Sequence, residues 1–206
     1  RYGLELSALQ GSSATLIDSK INETKLNDAL IANINLTFIN VDFNKSKIQF
    51  TVGQEANLDV RWYLDIYVNY SNGTQAHGVN VTIRGKDNNF ILETFTNPNG
   101  YINTTNITEY IQNISTMVFL SNYTLYATNT TLSGQRQVNL TTNTNTYITL
   151  QPSFIDCGTL STPNTLYTLT QSVTSTGTCF TVTADNVTLD CQGYSITYGT
   201  GGIGNS

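Results

Sequence analysis

From Ser153 onward the chain is a succession of strands too short to stand alone. Tyr167-Thr168-Leu169, Phe180-Thr181-Val182, Val187-Thr188-Leu189 and Ile196-Thr197-Tyr198 follow one another at short intervals, with Gly or Asn at the breaks. Runs of this length cannot build a sandwich. They suit the rungs of a parallel β-helix, where a coil stacks small strands above one another and buries their inward side chains in a column.

The middle of the chain has a different rhythm. In Val60-Arg61-Trp62-Tyr63-Leu64-Asp65-Ile66-Tyr67-Val68 the residues alternate strictly. One strand with Trp62, Leu64, Ile66 and Val68 on its buried face follows from that pattern. Asn72-Gly73 is a strong hairpin signal. Further strands are expected at Val79–Ile83, Phe90–Phe95, Tyr123–Ala127 and Tyr147–Leu150, with Val138-Asn139-Leu140 between the last two. Six or seven strands separated by turn residues between Leu58 and Leu150 is an immunoglobulin-like count.

Residues 1–58 carry β-type runs at Leu4–Leu6, Ala14–Ile17, Ala32–Ile39 and Ile48–Val52, with Gly11, Gly53 and Asn-rich corners as separators. Within this segment the apolar residues alternate over Ile34, Leu36 and Phe38, then slip phase to Ile39, Val41 and Phe43. Such a slip predicts a corner or bulge. Asn22 to Ile31 leaves room for a helical turn or two, although no cap secures it. Ile, Val and Thr supply 62 of 206 residues, which favours strands throughout. Charged residues are only 11%, against about 25% in ordinary domains, and Asn, Ser and Thr take their place on the surface.

Thirteen N-x-S/T sequons begin at Asn22, Asn35, Asn44, Asn69, Asn72, Asn80, Asn103, Asn106, Asn113, Asn122, Asn129, Asn139 and Asn186. Random order of the same composition gives roughly six, so the density points to an exported protein carrying covalent N-glycans. Asn/Thr-rich turn chemistry is the plainer explanation of the same motif. Cysteines occur at 157, 179 and 191, with no metal-pair spacing. In an exported protein we expect a Cys157–Cys179 disulfide with Cys191 in the interior; three reduced thiols are the alternative.

The scattered basic residues and a net charge of −5 give no footprint for nucleic acid. No apolar run approaches the roughly 18 residues of a transmembrane segment. The chain opens Arg1-Tyr2-Gly3 without a signal peptide, which fits a trimmed product or a fragment as well as a cytosolic protein, and only the sequons and cysteines decide between these.

No catalytic, cofactor or metal site is expected. Asp156, Asp185 and Asp190 form the densest acidic set, but no Lys or Arg follows Arg136, and they read as turn and rung-end residues. His77 reads as a solvated loop residue. Gly199 to Gly204 spells Gly-x-Gly-Gly-x-Gly with no helix pattern behind it, so no phosphate site is expected. Trp62 with Tyr63, Tyr67 and Tyr70 is a candidate sugar-stacking face, although such residues more often make core and edge.

The run from Asp156-Cys157-Gly158 through Thr178-Cys179-Phe180 to Asn186-Val187-Thr188-Leu189-Asp190-Cys191-Gln192-Gly193 resembles the opening rungs of right-handed parallel β-helix proteins. The resemblance is to the NosD-like and pectate-lyase-like superfamily of archaeal surface proteins. The middle segment resembles the Ig-like, carboxypeptidase-regulatory-type modules that accompany such helices, and residues 1–58 resemble closing rungs. The implied protein is all-β: an Ig-like sandwich (59–151) flanked by partial β-helix segments (1–58 and 152–206). A helix end, a sandwich and a helix beginning describe a unit cut out of phase. Its open rungs imply either a fragment or stacking onto another copy.

The function expected from all this is a non-catalytic, extracellular structural protein at the cell surface. It would be a glycosylated subunit of a filament, sheath or surface layer that polymerises with identical copies by rung addition. The alternative is a carbohydrate-binding adhesin module of a larger surface protein.

Overall fold

In the computed structural model, residues 3–21, 27–53, 55–154 and 156–199 are described, and they form an almost wholly β protein organised around parallel, solenoid-like ladders. The first ladder comprises β1 (Leu4–Lys20), β2 (Ala29–Asp42), β3 (Ile48–Phe50) and the start of β4 (Asn57–Tyr70). β1 runs parallel to β2, and β2 runs parallel to β3 and then to β4. Asn35 pairs with Asn57, one coil of 22 residues later.

The corners of these coils fall on residues that tolerate a left-handed backbone. Asp18 and Asn40 adopt φ of 49° and 52°, and Asn40 Nδ2 donates to Asp18 Oδ1 at 2.8 Å. Short polar side chains reach that conformation cheaply and hydrogen-bond locally. Asn40 also accounts for the phase slip: Leu36 and Phe38 before it and Val41 after it are all buried. Gly11 does not separate two strands. At φ 88° it lies inside β1, where the pairing register shifts between Ser7 and Ser12. The helical turn expected at Asn22–Ile31 is corrected in its second half. Residues 22–26 lie outside the described residues, whereas Ala29 and Ile31 are strand and fully buried. Pairing on both edges of β2 outweighs a weak local preference.

β4 runs unbroken through position 58 and alternates as expected. Trp62, Leu64, Ile66 and Val68 point inward, and Arg61, Tyr63, Asp65 and Tyr67 outward. The chain then makes β5 (Asn80–Arg84), β6 (Phe90–Phe95), β7 (Tyr101–Gln112), β8 (Met117–Phe119), β9 (Tyr123–Thr128), β10 (Leu132–Val138) and β11 (Thr144–Phe154). Leu140, expected in a strand, follows the end of β10.

One sheet carries β8, β7, β4 and β11; the other carries β6, β5, β9 and β10. One edge of β4 takes β2 as far as Arg61 and β11 from Leu64, while the other edge takes antiparallel β7. Val81, Ile83, Leu125 and Ala127 from the second sheet share one buried cluster with Leu64, Ile66 and Val68. Leu36, Phe38 and Leu58 from the coils belong to that cluster too, so rungs and sandwich have a common core. Each large side chain buried there is worth about 1.5–3 kcal/mol.

β11 crosses position 151 and leads into the second ladder, formed by β12 (Gly158–Leu160), β13 (Leu166–Leu169), β14 (Val173–Thr174), β15 (Phe180–Val182), β16 (Thr188–Asp190) and β17 (Ile196–Thr197). β12 pairs with β15, β13 with β16 and β14 with β17, all parallel, making three faces of a coil. Its interior is thin: among the described residues Leu160, Tyr167, Leu169, Val173 and Cys179 are its buried hydrophobic members. The Cys157–Cys179 disulfide closes a 22-residue loop across adjacent rungs. Loop-closure entropy makes such a bond worth about 3 kcal/mol. Replacing both cysteines by Ala should therefore speed amide exchange across residues 157–199 and leave the core strands from Ala29 to Leu150 protected. Uniform loss of protection would show the two parts to be one cooperative unit.

Few polar side chains are buried, and the best connected of them surround β4 and β7. Glu109 accepts from Trp62 Nε1 at 2.7 Å and pairs with Lys45, which also lies over the Tyr110 ring at 5.3 Å. Tyr123 donates to Thr108 O at 2.6 Å. Burial first, and the Asp59 carboxylate second, push the Tyr123 phenol up from 10.0 to about 12. The folded state thus holds this proton more tightly than the unfolded chain. The stability it supplies is complete below pH 10 and is lost as pH rises towards 12. Urea midpoints should hold steady to about pH 9 and then fall, with a shallower fall in Tyr123→Phe. Identical profiles for the two proteins would refute this.

Candidate functional site

Twelve of the thirteen sequons fall in the described residues; Asn22 lies outside them. Asn35, Asn44, Asn72, Asn103, Asn106, Asn122, Asn129, Asn139 and Asn186 are exposed, and Asn69, Asn80 and Asn113 half-buried, so none is sealed inside. Several fold back on their own motif. Oδ1 of Asn44, Asn72, Asn113 and Asn129 accepts the amide of Ser46, Thr74, Ser115 and Thr131, at 2.8–3.2 Å. These Asx turns hold the carboxamide by its oxygen. Asn186 is different. It has φ 54°, and its Nδ2, the atom a sugar would occupy, donates to Asn164 Oδ1 at 2.7 Å, one coil earlier.

The disulfide joins Cys157 and Cys179 with Cα atoms 4.7 Å apart, which is the spacing of adjacent strands. Cys191 is free and half-buried against Leu169, Val173 and Cys179 instead of fully interior. The turn that follows it, with Gln192 and Gly193 both at positive φ, keeps it near the surface.

The other sequence candidates scatter. Trp62 is 9% exposed and committed to Glu109, so it offers no stacking face. Tyr67 sits between Tyr101 and Tyr147, with ring centroids 5.0 Å from each, while Tyr70 packs half-buried against the core. Tyr63 reaches Asp18 through its hydroxyl at 3.4 Å. His77 is an exposed turn residue. Asp156 Oδ1 caps its neighbour Cys157 N at 2.7 Å, Asp190 Oδ1 accepts from Gln192 N at 2.9 Å, and the Asp185 carbonyl accepts from Asn164 N. Among the described residues no three His, Cys, Asp or Glu side chains are placed to hold a metal ion. No helix there is long and apolar enough to cross a membrane.

Sequence reasoning passed over Glu109. Its signal is a carboxylate on the apolar phase of β7, two residues after Ile107, on a sheet whose Trp needs an acceptor.

β1 is paired along one edge. β1 spans 17 residues, and among the described residues its pairing partner is β2 alone. No sequon falls in residues 1–21.

No protein-family model and no curated protein matches this chain. Among solved structures, the Bacillus anthracis TIE protein aligns with 52% of this chain and 19% of its own length, at 11% identity and a TM-score of 0.34. At that level the likeness has no bearing on function.

If the sequons are used, occupancy should differ among them. Glycopeptide mass spectrometry of native material should find Asn129 modified and Asn186 largely bare, because a sugar there competes with the ladder to Asn164. Full occupancy at Asn186 would contradict this.

Proposed function

We propose that this chain is a non-catalytic structural protein of the cell exterior, a glycosylated subunit of a surface filament, sheath or layer whose identical copies add rungs to one another. The observation that carries the proposal is the outer edge of β1, a 17-residue strand whose alternate residues turn their backbone donors and acceptors away from β2, with no strand partner on that side among the described residues. A long unpaired edge of this kind templates strand addition unless something covers it. A parallel rung from a neighbouring copy is the partner of matching geometry, since β15, β16 and β17 are likewise rungs with a single strand partner among the described residues.

The distribution of sequons supports the same reading. They crowd the sandwich and its loops and leave residues 1–21 free, so glycans would coat the flanks and spare the edge. The disulfide is in keeping with an oxidising exterior. On this proposal the central sandwich is an Ig-like, carboxypeptidase-regulatory-type spacer, and the rungs are those of a NosD-like β-helix as in archaeal surface proteins.

The edge can be blocked without disturbing the core. Leu4 N donates to Asp28 O at 2.9 Å, so the backbone groups of Leu4 face β2 and, by strand alternation, those of Glu5 face outward. Proline is tolerated where a strand's N–H faces solvent. Glu5→Pro should leave the melting temperature within about 2 °C of the parent, as surface changes do. It should also abolish concentration-dependent growth in light scattering and sedimentation. Unchanged polymerisation of a folded Glu5→Pro protein would exclude addition at this edge.

A further inference from the structure

Where β11 leaves the sandwich the two ladders diverge. β11 pairs with β10 at Gln151 and Pro152, and with β13 from Ser153. The sheet of β9 and β10 goes one way and the rungs β13 and β16 go the other. Between them lies an open cleft of about 590 Å³. That volume is in the range of about 300–1,000 Å³ that small-molecule sites occupy, and junctions between structural units are where such sites concentrate.

The lining is chemically selective. Tyr126 comes from the sandwich and Tyr194 from the turn after β16; they are 37% and 43% exposed. Leu166 adds apolar surface on the rung side, and Thr168, Gln135 and Gln192 supply hydroxyl and amide groups. Among the described residues no Lys, Arg, His, Asp or Glu lines the cleft. A charged ligand would find no counter-charge here, and a purely apolar one would leave the amides and hydroxyls without partners, at a cost in affinity.

The polar side is held in place. Gln192, at φ 48°, has its backbone N–H on Asp190 Oδ1 at 2.9 Å and its Nε2 on Asp190 Oδ2 at 2.5 Å. Its Oε1 accepts from Gln135 Nε2 at 3.1 Å, across the cleft. Tyr194 N donates to Cys191 O at 2.7 Å, which closes the turn that presents the ring.

We propose that this cleft binds a neutral oligosaccharide. The C–H faces of the sugar rings pack on Tyr126 and Tyr194, and the hydroxyls exchange hydrogen bonds with Gln135, Gln192 and Thr168. Amides and hydroxyls both donate and accept, as sugar hydroxyls do, so the match requires no ion. The site lies away from β1 and does not depend on strand addition, so either proposal can fail without the other.

The test uses the full, unglycosylated chain titrated with neutral hexasaccharides of glucose, mannose and N-acetylglucosamine, and with an acidic oligogalacturonate. Calorimetry and 15N chemical shifts give the readout. At least one neutral hexasaccharide should bind with a Kd of about 1 mM or tighter, shifting signals of β9, β10 and the Gln192–Tyr194 turn. Tyr194→Ala and Tyr126→Ala should each weaken it by about tenfold or more, and oligogalacturonate should bind at least about tenfold more weakly. Tyr63→Ala, on β4 and away from the cleft lining, should change nothing. Tyr194 sits on an exposed turn, so its variant carries the test if Tyr126→Ala proves unstable. No neutral binding at about 1 mM, binding indifferent to Tyr194→Ala, or equal affinity for oligogalacturonate would overturn the proposal.

Discussion

Everything in this chain hangs on β4. Over its first half it is the next rung after β2, with Asn57 to Arg61 in parallel register. Over its second half it is a sandwich strand between β11 and β7. The two roles are compatible because the inward face is continuous: Leu58, Val60, Trp62, Leu64, Ile66 and Val68 are buried in unbroken alternation. A one-residue slip anywhere along the strand would turn all of them to solvent. The tight junction is sealed by Asn143, which donates to Asn40 Oδ1 at 2.8 Å and accepts from Tyr63 N at 3.0 Å where β11 takes over from β2. Rung ladder and sandwich are therefore one hydrogen-bonded object.

The far end is built with less. Among the described residues the coils after β11 bury five hydrophobic side chains, against a cluster running from Ala29 to Leu150 in the rest of the protein. Two devices offset the shortage. The disulfide fixes adjacent rungs, and the Asn164–Asn186 pair repeats at a corner the carboxamide contact that Asp18 and Asn40 make in the first ladder. Corner residues with φ near 50° recur because each coil must turn sharply without glycine's entropic cost.

Much of this was legible in the sequence. Strict alternation placed β4 and its faces, since nine consecutive residues in period two have no helical reading. Phe180–Val182 was found because its apolar residues flank a single Thr between turn signals. β12 and β14 were not, for each sets a single large apolar residue, Leu160 or Val173, beside Thr or Gly and so shows no alternation. The coil length was present but unread: Asp18/Asn40, Asn35/Asn57, Cys157/Cys179 and Asn164/Asn186 all stand 22 apart. Elsewhere the interval drifts, as when Leu4 pairs with Ala29 and Ala29 with Ile48, because bulges and corners absorb residues. A repeat carried by a few corner residues does not survive averaging over a whole coil. The cleft was illegible for another reason. Tyr126 and Tyr194 line one cleft only because β11 belongs to two sheets.

The central claim is that the parallel ladder continues from one copy to the next. Electron cryomicroscopy of purified native assemblies tests it most directly. The account predicts filaments or sheets in which strands run on across each subunit junction at about 4.8 Å, with β1 paired to a rung of its neighbour. Single particles, or assemblies joined through the sandwich faces with β1 left bare, would contradict it.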